Sequence, residues 1–493
     1  MHSPTSIEKD NEKESLSFPF KEWLWPLSIL LSLSMAGLRF PLGYILIIVF
    51  LINRFRKNKY DFIILVTFLI GGYAMTNTAS FHLRMLYPAL LASFVGIIIL
   101  KKPHIIKRAI RAWFLYFLLM ISLAYIGEEI FYEQLKIIWN YAAFIVFLIP
   151  ILVFAGKDFD IHYFYKRIFQ YALILCFFYI LDSIVFSGNV LVPCSFLWGW
   201  LESTFYHIIR YPGEFHRKYP PGLYILILTI YPVCRYYKLK IWHYIVILGA
   251  LACTQTFTFI TGIIVTFVLF QPNKKRVAAL FVVGIIGLIS LYFIDGTLPY
   301  NRDKTESFFR IKSSVDQIID LKEVQDDEDF SKTGSGRIAQ AIPKLDLLYE
   351  LNKEWTGFGF LSQGGTTVKK YVIENDYYED EEEAIEVATN IEITMLQVLI
   401  TIGYIGLLAH LCFYIYIYYL ERKLRYSSYL LSVLIAFAWL GIGGFEGWIT
   451  SASNALIALA FAAVYLENRP NIDDANPIYK TLREKAMKES QIS

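Results

Sequence analysis

Between residues 206 and 222 the chain reads Tyr206-His207-Ile208-Ile209-Arg210-Tyr211-Pro212-Gly213-Glu214-Phe215-His216-Arg217-Lys218-Tyr219-Pro220-Pro221-Gly222. Arginine offers a planar fork that grips phosphate oxygens in pairs, and aromatic faces stack on sugar rings. Arg210 and Arg217, set among Tyr206, Tyr211, Phe215 and Tyr219, therefore suit a ligand that joins phosphate to sugar. The competing reading is anchoring, in which interfacial Arg and Tyr hold a span end at the headgroup layer. A second group lies farther on. Ser335-Gly336-Arg337 reads as a turn and helix cap, and residues 338–351 read as an amphipathic helix with apolar positions at 338, 342, 345 and 348–349. Trp355-Thr356-Gly357-Phe358-Gly359-Phe360 follows, with glycines suited to close backbone approach. An amphipathic helix on the outer face of a membrane protein lies at the interface, which puts Arg337 near headgroup depth.

The elements that must position these residues are membrane spans. The 493 residues are 56% hydrophobic and 18% charged, against about 45–50% and about 25% in soluble domains, so the surplus apolar surface requires a lipid solvent. Fourteen segments read as spans: 23–38, 41–53, 61–76, 85–100, 112–127, 137–155, 168–187, 219–234, 241–253, 255–270, 277–294, 393–419, 428–445 and 449–466. Basic residues crowd alternate short loops: Arg54, Arg56, Lys57 and Lys59; Lys101 to Arg111; Lys157, Lys166 and Arg167; Arg235 to Lys240; Lys274 to Arg276; Arg422 to Arg425. By the positive-inside rule these loops, and both termini, are cytoplasmic. The first twenty residues are polar and lack a cleavable signal pattern. Cys176, Cys194, Cys234, Cys253 and Cys412 are scattered, without a disulfide framework.

The fold class expected is therefore an all-α polytopic membrane protein of about fourteen transmembrane helices with one large external loop. A cytoplasmic tail (1–22) leads into an N-terminal bundle (23–294) that includes an external loop at 188–218. The large external loop (295–391), the C-terminal helices (392–466) and a cytoplasmic tail (467–493) follow. The large loop holds 21 acidic and 11 basic residues, a net of −10 inside a chain of net +3, so the rest carries +13. The overall charge of +3 argues against a nucleic-acid binder, because no global positive field exists to neutralise phosphates. Asp327-Glu328-Asp329 has the Asp-x-Asp pattern of a metal site but sits in a run of solvated acids, and we expect no metal and no cofactor.

Three pieces together resemble the O-antigen polymerase and O-antigen ligase superfamily. Arg210-Tyr211-Pro212-Gly213-Glu214-Phe215, with Pro220 and Gly222, is similar to the family's arginine-glycine-phenylalanine segment. Ser335-Gly336-Arg337 followed by Gly357-Phe358-Gly359 resembles the opening of its large loop. Leu396-Gln397-Val398-Leu399, then Gly403-Tyr404-Ile405-Gly406-Leu407, resembles the helix that closes it. Two departures stand out. Glu392 and Ile393 occupy the positions where the ligases carry a His-Asn pair, and Thr254 to Phe259 lacks an arginine often found there. Loss of the histidine favours polymerase over ligase.

The resemblance implies a bacterial inner-membrane enzyme, similar to type C glycosyltransferases, with a polyprenyl-diphosphate-linked oligosaccharide and membrane lipid as partners and room for a chain-length regulator protein. It implies transfer of a glycan from the diphosphate to a sugar hydroxyl of another lipid-linked unit, with Arg210, Arg337 and Glu392 as catalytic residues. Arginines would stabilise the departing diphosphate. Glu392, at a span entry where an ionisable group is costly, would take the hydroxyl proton; solvation at the interface is its other reading. Arg217, Glu214, His207, His216, Tyr219, Gly357 and Gly359 are the expected substrate contacts, and Glu446 a lesser candidate for the same cavity. A ligase, or a flippase or other transporter, remains the alternative. Transporters gather ionisable groups at mid-membrane, whereas these spans read as nearly free of charge apart from Asp182.

Overall fold

The computed structural model describes residues 14–37, 41–57, 59–71, 91–98, 104–124, 131–155, 159–185, 221–254, 342–358, 394–442 and 451–474, with isolated positions at 262–263, between 275 and 293, and at 374. The described chain is mostly helical. In order come α1 (Phe20–Gly37), α2 (Pro41–Lys57), α3 (Lys59–Gly71), α4 (His104–Ala124), α5 (Phe131–Phe154), α6 (Ile161–Val185), α7 (Pro221–Tyr236) and α8 (Ile241–Thr254). Then follow α9 (Ile342–Glu350), α10 (Thr394–Glu421), α11 (Ser427–Ile442) and α12 (Ser451–Asp474). The only described sheet pairing is two residues long, β1 (Glu14–Ser15) running parallel to β2 (Tyr237–Lys238). Every one of these helices except α9 overlaps an apolar segment expected from the sequence. Several extend beyond it: α4 starts eight residues earlier and α6 seven, so Lys107, Arg108, Arg111 and Arg167 are helical and not loop residues.

The chain forms two compact units, residues 1–61 with 160–254, and residues 62–159 with 255–493. In the first, α6 packs on α1, α7 and α8, and α1 packs on α2. Asp160 caps α6 by accepting from the His162 and Tyr163 amides at 2.9 and 3.2 Å. In the second unit, residues 141–152 of α5 and 454–466 of α12 are buried on every face, as a core helix with an apolar circumference must be, and the two helices pack together with α4, α10 and α11 around them.

The outward faces carry the solvent information. On α4 the inward positions are Ile106, Ala109, Trp113, Tyr116, Met120 and Leu123, a helical stripe. Its exposed positions change character along the axis, from Lys107, Arg108 and Arg111 to Phe114, Leu115 and Leu118. Exposed Leu42, Ile45, Ile48, Val49 and Ile52 form a stripe on α2, and Ile241, Tyr244, Ile245 and Leu248 do so on α8. Among the described residues one helix, Met395–Glu421, is long and apolar enough to cross a membrane, while Leu42–Arg54, Tyr141–Phe154, Ile241–Leu251 and Ser427–Trp439 are shorter apolar stretches.

Candidate functional site

The best-defined site in the second unit is where the end of the large loop meets α10. Helix α9 occupies 342–350, inside the expected 338–351; residues 338–341 lie outside the described part of the chain. It ends in a Schellman motif: Asn352 takes φ 51°, its amide donates to the Tyr349 carbonyl at 3.0 Å, and the Lys353 amide reaches back to Leu348 at 2.9 Å. Asparagine tolerates this left-handed conformation better than most residues. The buried face is Lys344, Leu347 and Leu348. Tyr349, expected on the apolar face, is instead half exposed, because its hydroxyl pairs with that of Tyr404. Lys344 is the polar surprise. It is 1% exposed, and burial pulls its ammonium down to about 7.

The chain then turns through Lys353–Phe358 and docks into a break in α10. Gly403 has φ 63° and ψ −169°, a conformation open essentially to glycine alone, and it interrupts the ladder of the helix. Three groups freed by the break are taken up by the turn. The Ile400 carbonyl accepts the Phe358 amide at 2.9 Å, the Tyr404 amide donates to Glu354 at 2.8 Å, and the Ile405 amide donates to Trp355 at 3.2 Å. A buried kink without such partners would leave costly unmet backbone groups.

Two glycines make the approach possible. A Cβ on Gly357 (φ 74°) would overlap the backbone of Thr401 and Ile402, and a Cβ on Gly403 would overlap that of Trp355 and Thr356. The two elements thus interlock backbone to backbone, with the Trp355 ring edge-on to Tyr404 at 5.7 Å and Phe358 buried. This explains Gly357, one of the expected substrate contacts, as a docking residue. Gly359, Arg337, Glu392, Arg210, Arg217, Glu214, His207, His216, Tyr219 and Glu446 lie outside the described residues.

Below the break, α10 carries a buried polar face that the sequence reading missed. Gly403, His410, Tyr414 and Glu421 follow one another at spacings of seven, four and seven, which keeps them on one side of a helix. His410 Nδ1 is 2.7 Å from the Tyr116 hydroxyl of α4, and the His410 ring lies edge-on to Tyr414 at 5.0 Å. Tyr414 donates to Asn454 of α12. Glu421 is fully buried, and neither of its carboxylate oxygens has a hydrogen-bond partner among the described residues. The spacing was the available signal, but an apolar run conceals it. In the first unit the ion pair Arg167–Asp61 is likewise buried, although Arg167 reads from the sequence as a loop charge. Comparison with family models, with curated proteins and with solved structures returns no match for this chain.

Proposed function

We propose that the chain is a polytopic membrane glycosyltransferase of about fourteen spans that polymerises lipid-linked oligosaccharide units at the outer leaflet. The observation that carries this reading is the interlock of Gly357 with Gly403. It joins the two sequence pieces that resemble the opening and closing of the large loop in the O-antigen polymerase and ligase superfamily, and it tethers that loop to the span that follows. Arg337 precedes α9 by five residues and Glu392 precedes α10 by two. The docked turn fixes α9 against α10, the two helices next to these residues in the sequence, and fixed positioning is what transfer between two bound substrates requires. The lipid-facing reading of the outer helices rests on their apolar stripes and on the basic-to-apolar change along α4.

In the reaction, the acceptor hydroxyl oxygen bonds to the anomeric carbon of the donor glycan while the carbon–oxygen bond to the diphosphate breaks. The electron pair leaves with the diphosphate, where Arg210, Arg337 and Arg217 balance the developing charge. The hydroxyl proton passes to Glu392. A second reading, a flippase or other transporter, is favoured by the buried line Tyr116, His410, Tyr414 and Asn454, because polar side chains within a span mark transport pathways in many proteins. Deletion of the gene separates the two. A polymerase leaves single repeat units attached to the cell surface, and a flippase leaves lipid-linked units on the cytoplasmic side. Long attached chains in the deletion strain would refute the polymerase.

A further inference from the structure

Arg54, Asp61, Arg167, Gln170 and Tyr171 form a buried cluster in the first unit whose acceptors are already engaged. Asp61 Oδ1 accepts Arg167 Nε at 2.6 Å and the Tyr171 hydroxyl at 3.4 Å, while Oδ2 accepts Arg167 Nη2 at 2.9 Å and faces Arg54 Nη1 at 3.6 Å. Arg167 Nη1 donates to Gln170 Oε1 and, at 3.2 Å, to the Glu22 carbonyl. The donor side is incomplete. Arg54 Nε and Gln170 Nε2 have no acceptor among the described residues, although Arg54 is 6% exposed and Gln170 0%. Turning the Gln170 amide over gives no relief, since it would set Nε2 against Arg167 Nη1, donor against donor.

Among the described residues of this cluster, two guanidinium groups face one carboxylate, a balance of +1. A buried cation and a buried amide, each with an unused N–H, are costly arrangements. What completes them is a group with negative charge and several lone pairs. Arg54 is also held ready: its guanidinium stacks 3.4 Å from the Trp25 ring centroid and is tethered to Asp61, so little side-chain freedom remains to be lost on binding. We propose that this cluster is a binding site for a phosphate group, held by Arg54 Nε and Gln170 Nε2. A tetrahedral oxyanion suits an arginine edge better than a single acceptor does. The site stands at the α2–α3 junction, beside the basic sequence Arg54 to Lys59, where either a lipid headgroup or free phosphate would arrive. It is independent of the polymerase reading and of the outward-facing arginines.

The full-length protein in detergent is tested by native mass spectrometry and thermal shift with three probes: dioctanoyl phosphatidate, inorganic phosphate, and dioctanoylglycerol, which lacks phosphate. The wild type should retain phosphatidate and not dioctanoylglycerol, and Arg54→Gln or Gln170→Leu should weaken that retention by about tenfold or more, the usual effect of losing a hydrogen bond to a charged group. Stabilisation by inorganic phosphate that disappears in the same variants identifies a site for free phosphate; a response to phosphatidate alone identifies a headgroup site. Gln170→Leu removes no charge and decides the matter if Arg54→Gln does not fold. Equal phosphatidate retention in the wild type and Gln170→Leu, or no binding of either phosphate-bearing probe, would overturn the proposal and leave an ion-pair staple.

Discussion

Replacing Gly403 by alanine tests the interlock most directly. Alanine at φ 63° and ψ −169° carries backbone strain of about 1–3 kcal/mol. Its Cβ would also overlap the backbone of Trp355 and Thr356, which has no flexible side-chain end to move aside, so the turn itself must lift. Lifting it breaks the hydrogen bonds between Phe358 and Ile400, Tyr404 and Glu354, and Ile405 and Trp355, each worth about 0.5–1.5 kcal/mol, and exposes Phe358 at about 1.5–3 kcal/mol. The entropy regained by the freed turn offsets part of this loss. A net penalty of about 2–4 kcal/mol remains, which raises the open population roughly 30- to 700-fold at one decade per 1.4 kcal/mol. Hydrogen exchange read by mass spectrometry in peptides covering 353–358 and 400–407 should accelerate by that factor at the Phe358, Tyr404 and Ile405 amides. Gly357→Ala attacks the same contact from the other side, so the double variant should cost little more than the worse single one. Exchange within threefold of wild type in Gly403→Ala would show that the turn does not depend on this glycine.

Lys344→Met should stabilise the docked α9. The ammonium titrates near 7 in the folded protein against 10.5 when free, so wild-type stability should rise with pH between those values and level off outside them. The gain from methionine, at most about 5 kcal/mol, should be largest below pH 7 and fade by about pH 10.5 in thermal unfolding, and a loss at every pH would refute it. Arg210→Ala and Arg337→Ala should abolish long surface chains at unchanged protein level, and lysine at either position should rescue poorly because it lacks the fork geometry. Normal chain lengths in both variants would remove these residues from the mechanism.

The helices were legible because each is built around an apolar run, and the described helices from α1 to α12 other than α9 overlap the runs expected from the sequence. Helix ends were less legible. Amphipathic continuation past an apolar core, as in residues 104–111 of α4, reads as a basic loop when only hydropathy is followed. Its place in a glycine-rich turn marked Gly357 for close backbone approach, whereas Gly403 stood only in the piece that resembles the loop-closing helix, and nothing local to either said that they meet each other. Contacts between residues 46 positions apart are set by tertiary packing. Charges hidden by pairing were the hardest to see. Arg167 and Asp61 are 106 residues apart, and from the sequence one reads as a loop charge and the other as the first residue of a span.

The break at Gly403 bears on which of the two functional readings is correct. Around it, α10 exchanges backbone hydrogen bonds with the turn at 353–358; below it, the same face holds His410 against α4 and Tyr414 against α12, with Glu421 buried beyond them. A helix whose ladder is already interrupted can change the direction of one half without breaking further internal bonds, provided that the turn follows. If the chain polymerises, the turn should stay docked throughout the cycle, since its task is to hold the loop still. If it transports, the turn should release in step with the polar line below, and exchange at Phe358, Tyr404 and Ile405 should change when His410 is replaced by a residue that cannot pair with Tyr116. His410→Leu with unaltered exchange at those three amides would separate the polar line from the loop and weigh against the transporter.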